Sequence, residues 1–154
     1  MTVVGIISDT HGLLRPEALR ALNGSDLILH AGDIGPPNVL EKLREIAPVT
    51  AVRGNVDTGA WTQVLPLTET LTVAERVLYM IHDRSHLALY PPPENAAVIV
   101  FGHSHQALIE TQDGVLFLNP GSAGPRRFRL PVTMARLRIS PDQIEPEIVH
   151  LRAG

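Results

Sequence analysis

Five segments of this chain end in residues that bind hard or borderline cations: Ser8-Asp9-Thr10-His11, His30-Ala31-Gly32-Asp33, Arg53-Gly54-Asn55-Val56-Asp57, His82, and Gly102-His103-Ser104-His105. Taken singly, each is a weak signal. An Asp or Asn after a strand is usually a turn residue or a helix cap, and a lone histidine is usually a satisfied partner in the core or at the surface. Five such endings together are hard to produce by coincidence. Carboxylate, amide and imidazole donors in a chain with no cysteine suit Mn²⁺, Fe²⁺ or Zn²⁺ rather than a structural tetrahedral zinc. Asp9, His11, Asp33, Asn55, His82, His103 and His105 exceed one ion's needs and suit two ions sharing a carboxylate.

These donors need strands to deliver them. Thr2–Ser8, Asp26–His30, Val49–Arg53, Arg76–Ile81 and Ala96–Phe101 are apolar and β-branched, as strands buried on both faces should be. Between the first three lie two helical stretches, Pro16–Leu22, stopped by Asn23-Gly24, and Asn38–Ile46, with Val39, Leu40, Leu43 and Ile46 on one face. Strands alternating with helices imply parallel crossover units, and such sheets bind ligands outside the carboxyl ends of their strands. Asp9 and His11, two apart on an extended chain, point the same way, and His103 and His105 repeat that spacing. Glycines at 12, 32, 54 and 102 allow sharp turns or close approach to the ions.

The second half changes character. Glu69–Thr72 and Arg76–Ile81 form a hairpin around Ala74-Glu75, and Gln106–Glu110 and Val115–Leu118 flank the turn signal Gln112-Asp113-Gly114. Val132–Ile139 and Ile144–Leu151 make a final antiparallel pair. The expected architecture is two sheets stacked face to face with helices outside, an α/β sandwich. At 154 residues the chain has the usual size of one domain, residues 1–154, with an ordinary 44% hydrophobic content. The longest apolar runs are too short to span a bilayer, and the N-terminus lacks a basic leader. A cytoplasmic location fits, with no membrane association. The net charge of −3 argues against a duplex nucleic-acid partner.

The ordered motifs Asp9-x-His11, Gly32-Asp33, Gly54-Asn55, His82 and Gly102-His103-Ser104-His105 resemble those of the calcineurin-like metallophosphoesterases. The short length, His30-Ala31-Gly32-Asp33 and Asn119-Pro120-Gly121-Ser122 are similar to the small bacterial and archaeal phosphodiesterase branch. The resemblance runs from about residue 3 to residue 125. It implies a four-layer α/β/β/α sandwich of two mixed sheets, and a phosphodiesterase that attacks small phosphate esters with a hydroxide bridging two divalent ions. Asp9, His11, Asp33 and His105 would hold one ion, and Asp33, Asn55, His82 and His103 the other. Mn²⁺ is the first choice of metal, with Ni²⁺, Fe²⁺, Zn²⁺ or Mg²⁺ as alternatives. Asp33, Asn55 and His82 would carry the catalysis, with Asn55 also facing the phosphate. His30 would orient a ligand from behind. Arg126 or Arg127 could grip a phosphate oxygen, although loop arginines are usually just solvated.

Three positions depart from the family pattern. Val56 stands where many members carry a histidine that protonates the leaving group. Asp83, after His82, replaces a common glycine. The segment from His82 to His103 is short and holds Pro91-Pro92-Pro93, so the usual helix there should be truncated, opening the cleft or reshaping a contact between copies. Asp57 is a weak substitute acid, better suited to a turn or cap. Trp61, Leu65 and Pro66 suit core packing more than a self-association patch, which leaves a homo-oligomer open. The alternative is a catalytically weak or inactive scaffold of the same fold that binds protein partners; such members typically have eroded metal ligands, and here all seven positions are filled. A nucleotide-binding Rossmann domain and a serine hydrolase are disfavoured, since G-x-G-x-x-G, the P-loop and G-x-S-x-G are all missing.

Overall fold

The computed structural model describes residues 1–127 and 129–151. Its strands are β1 (Thr2–Ile7), β2 (Leu27–His30), β3 (Val49–Ala51), β4 (Thr68–Val73), β5 (Arg76–Ile81), β6 (Ala96–Val100), β7 (Leu108–Gln112), β8 (Val115–Asn119), β9 (Thr133–Ile139) and β10 (Ile144–His150). Its helices are α1 (Pro16–Leu22) and α2 (Asn38–Arg44), with 3-10 turns at Ala60–Val64 and Arg84–His86.

Two mixed sheets result. The first has the order β10-β9-β1-β2-β3, with β1, β2 and β3 parallel and the last two strands of the chain added antiparallel. The second has the order β4-β5-β6-β8-β7, with a parallel centre and antiparallel edges. Side chains alternate between faces along each strand. Val4, Ile6, Leu29 and Ala31 therefore meet Leu78, Met80, Val98, Val100 and Leu118 between the sheets. The other face of the first sheet presents Ile7 and Ile28 to Ala18 and Leu22 of α1 and to Val39, Leu40 and Leu43 of α2. Trp61 and Leu65 pack partly against that second core.

The outer face of the second sheet buries Tyr79, Ile81, Ile99 and Phe101 under Leu87 and the Arg84–His86 turn. The Arg84 guanidinium lies 5.3 and 4.8 Å from the ring centres of Phe101 and Phe117. The molecule is thus an α/β/β/α sandwich whose fourth layer is thinned to one short turn, as the proline-rich segment suggested.

Many element ends shift by a residue or two from the sequence reading, and β7 and α2 show the physical reason. Asp113 and Gly114 both take left-handed backbone, with φ of 50° and 78°, forming a two-residue hairpin turn. That leaves Gln112 paired with Val115 and shifts β7 to Leu108–Gln112. Helix α2 closes at Arg44 because the Glu45 and Ile46 N–H groups bond three residues back, to Lys42 and Leu43, just before Pro48.

Candidate metal centre

The loops after β1, β2, β3, β5 and β6 meet along one edge of the sandwich. Backbone bonds tie them to one another: Asp9 N–H donates to Gly32 O at 3.0 Å, His11 N–H to Asp33 O at 3.0 Å, and Gly102 N–H to His82 O at 2.9 Å. Gly102 allows this approach, because a Cβ there would meet Ser8 Oγ and lie 2.8 Å from Asp9 Oδ2. A Cβ on Gly54 would likewise collide with Asp33.

Asp9 and His11 do not sit on extended backbone, which corrects the expectation from their spacing. Asp9, His11, Asp33, His103 and His105 all adopt left-handed conformations, with φ of 55°, 45°, 57°, 73° and 63°. Such residues cost on the order of 1 kcal/mol or more each and persist only where surrounding contacts hold them. The backbone turns sharply at each donor, so His103 and His105 diverge to different partners rather than pointing together.

The donors gather as two trios, Asp9-His11-His105 and Asp33-His82-His103, each with ligand atoms within 4.8 Å of one another. Asp33 Oδ2 lies between them, 3.8 Å from His11 Nε2 and 3.2 Å from His82 Nε2. Asn55 Oδ1 stands against the second trio, 3.0 Å from His82 Nε2 and 3.2 Å from His103 Nδ1. All seven predicted donors are therefore in one place.

Buried polar atoms normally have hydrogen-bond partners. Here Asp9 Oδ1, His11 Nε2, His105 Nδ1 and Arg53 Nε are buried without one. Asp9 Oδ1 and His11 Nε2 stand 3.9 Å apart in the first trio, with His105 Nε2 3.5 Å from the same oxygen, a grouping that fits a cation better than any protein partner. The Asp9 carboxylate is fixed on one side, since its Oδ2 accepts from Ser8 Oγ at 2.7 Å and His103 N–H at 3.2 Å while Oδ1 has no hydrogen-bond partner. His82 is similarly fixed: its Nδ1–H donates to Ala31 O at 2.7 Å, so Nε2 is the nitrogen turned to the site.

A further layer of contacts braces the loops that carry these side chains. His30 is fully buried, its Nδ1 accepting Gly32 N–H at 3.1 Å and its Nε2–H facing Thr10 Oγ1 at 2.9 Å. It supports the loops carrying Asp33 and Asp9 rather than touching a donor side chain. Asp57 is buried and accepts N–H bonds from Asp33, Ile34 and Gly54, which fits the turn-or-cap reading over the acid one. Asn119 donates to Gly102 O and Ser104 Oγ, bracing the His103–His105 loop. Asp83 caps the Arg84–His86 turn through Ser85 and stands 3.6 Å from His103 Nε2, leaving Nδ1 toward Asn55. The sequence named His30 as a support and Asp57 as a turn or cap residue, whereas Asn119 was known only from its motif and Asp83 only as a departure from the family pattern.

Electrostatics follow from burial and crowding. Burial raises the Asp9 carboxyl above its usual range against the pull of His82 and His105. Burial also works to raise Asp33, but the His82 hydrogen bond and charge, the Val56 N–H and His11 outweigh it and hold this carboxyl at about 2. His82 is raised, since Asp33, Asp9 and the Ala31 carbonyl overcome its burial. Burial lowers His105, with Arg127 and His11 adding to the effect. Arg127 thus lies close enough for its charge to reach the centre. Arg126 and Arg127 are both exposed, with no side-chain ion pair among the described residues.

The sandwich and its clustered carboxylate and imidazole donors define a metallophosphoesterase class of protein. The chain belongs to the calcineurin-like phosphoesterase superfamily, whose domain model matches residues 1–142. It is 33% identical to a probable metallophosphoesterase of Methanothermobacter thermautotrophicus, covering 98% of this chain and 94% of that one. It is 32% identical to the phosphodiesterase YfcE of Escherichia coli K12, over 75% of this chain and 76% of that one. Among solved structures, a novel archaeal phosphodiesterase superposes with a TM-score of 0.82 at 21% identity, covering 97% of this chain and all (100%) of the other. The Zn²⁺ complex of Vps29 from Entamoeba histolytica superposes with a TM-score of 0.74 at 24% identity, covering 97% and 99% of the two chains.

Proposed function

We propose that the chain is a phosphodiesterase acting with two divalent cations. The observation that carries this reading is the pair of donor trios with Asp33 Oδ2 between them. Asp9, His11, Asp33 and His105 would hold one ion, and Asp33, Asn55, His82 and His103 the other. Oxygen and imidazole donors suit Mn²⁺ first, with Ni²⁺, Fe²⁺, Zn²⁺ and Mg²⁺ as alternatives. Two such ions, when bound, activate water near neutral pH and neutralise charge on the phosphoryl oxygens.

The chain's own groups supply orientation. Ala31 O keeps the proton on His82 Nδ1, and Ser8 keeps Asp9 Oδ2 occupied, so each presents one defined atom. Asn55 turns its Oδ1 to the second trio, 3.0 Å from His82 Nε2 and 3.2 Å from His103 Nδ1, which leaves its amide N–H₂ available to donate to a phosphate oxygen. Arg127, whose charge already reaches His105, can offer a second contact from the loop after Asn119, and Arg126 is an additional candidate. His30 acts as a support, holding Thr10 and Gly32. The leaving group must depart without a histidine donor at Val56, so good leaving groups should react fastest.

The deciding experiment is metal-dependent hydrolysis of bis(p-nitrophenyl) phosphate by wild type and Asp33→Ala. Loss of about 10³-fold or more in kcat/KM is expected, as for removal of a group stabilising charge in the transition state. Undiminished turnover by the variant would reject the reading, and folded protein with no activity across all five metals would favour a binding scaffold.

A further inference from the structure

Two grooves diverge from the donor trios. The first, of about 240 Å³, is lined by Asn55 and His82 and walled by Leu67, His86, Leu89 and Tyr90, with Arg53 among its lining residues. The second, of about 350 Å³, is lined by His11 and by Val56, Thr58 and Trp61. Adjacent residues Asn55 and Val56 open onto different grooves, so a phosphate at the centre has room for a substituent on either side.

The first groove carries exposed apolar surface that the fold does not require. Leu67, Leu89 and Tyr90 are 44%, 75% and 42% exposed, and the thinned fourth layer leaves them uncovered. Apolar groups that stay open beside convergent polar donors mark a ligand site. The cavity exceeds the roughly 150 Å³ that accommodates a benzene ring. Arg53 bonds Gln63 Oε1 at 3.1 Å and has no carboxylate partner among the described residues, so its charge can face an acceptor on a bound ring.

Resting on the phosphodiesterase reading, we propose that the substrate is a diester with one flat aromatic arm, seated in the groove of Leu67, Leu89 and Tyr90. The second arm leaves past Val56 and Trp61. An aromatic ring suits these walls better than a sugar alone, since leucine and tyrosine faces reward apolar area more than hydroxyl groups.

The test is calorimetric titration of Mn²⁺-loaded protein with phenylphosphonate and methylphosphonate, which cannot be hydrolysed. Phenylphosphonate should bind about tenfold tighter or better, and that ratio should fall toward one in Leu89→Ser and in Tyr90→Ser. Two separate variants guard against one misfolding. A third ligand, the adenosine phosphonate in which a methylene replaces the 5′-oxygen and which likewise cannot be hydrolysed, tells the sources of the ring apart: binding tighter than phenylphosphonate assigns a nucleoside arm, and weaker binding a directly attached aryl arm. Equal affinities for the phenyl and methyl compounds overturn the groove while leaving the metal centre standing. Failure of both to bind in a metal-dependent way overturns both readings. A dimer that Leu89→Ser dissociates, with the ratio unchanged, would assign the patch to a second copy and overturn the proposal.

Discussion

The Asp57 carboxylate accepts the Asp33 N–H at 2.9 Å, so the residue positioned between the two donor trios is held from behind by a second buried acid. The same carboxylate accepts the N–H groups of Ile34 and Gly54, joining the loops after β2 and β3. Asp57→Asn offers one acceptor oxygen and sets an amide donor against backbone donors. We expect a loss of about 2–4 kcal/mol in urea unfolding, since each stranded buried N–H costs about 1–3 kcal/mol. Activity should fall with it, because Asp33 loses its anchor.

Gly102→Ala places a methyl against Ser8 Oγ and 2.8 Å from Asp9 Oδ2. The strain should cost about 1–3 kcal/mol, in the range of overpacked sites. It should also turn Asp9 Oδ1 away from His11 and His105. Weaker Mn²⁺ binding with only a small change in melting temperature would show displacement without collapse. Wild-type affinity would contradict the packing described.

Metal stoichiometry separates the trios. Titration of the chelator-stripped protein should find two Mn²⁺ sites, with His105→Ala losing one and His82→Ala the other. Saturating metal should stabilise the fold by about 2.7 kcal/mol per site at a hundredfold excess over Kd. Melting curves with and without a chelator read this directly. A single site in the wild type would count against the paired arrangement.

His30 gives the metal-free protein a pH dependence. Burial pushes its pKa from 6.5 to about 3, with His82 adding to the effect, and both ring nitrogens are engaged in the neutral form. Below pH 6.5 the unfolded chain takes up a proton that the folded chain refuses, so stability falls as pH drops through that window to about 3. The slope from this group approaches about 1.4 kcal/mol per pH unit. In His30→Asn, unfolding measured with a chelator present should show a flatter profile between those limits. An unchanged slope would mean that another group governs it.

What the sequence determined by itself was the order of the strands and the identity of their endings. Alternating apolar runs follow local rules of period and turn chemistry, so Thr2–Ile7, Pro16–Leu22 and the two hairpins were legible. The seven candidate donors that the fold gathers stood out for the same reason, because a polar residue closing a buried strand contrasts with it. Backbone conformation was not legible: the left-handed φ of Asp9, His11, Asp33, His103 and His105 comes from loops braced by distant residues such as Asn119 and Ser122. Spacing set His103 and His105 toward one site and only the family resemblance separated them, while neither revealed that Asp57 anchors Asp33 or that Leu89 and Tyr90 line one groove with Asn55 and His82. Those relations depend on which strand ends become neighbours when two sheets stack, and stacking is decided by the packing of the whole core.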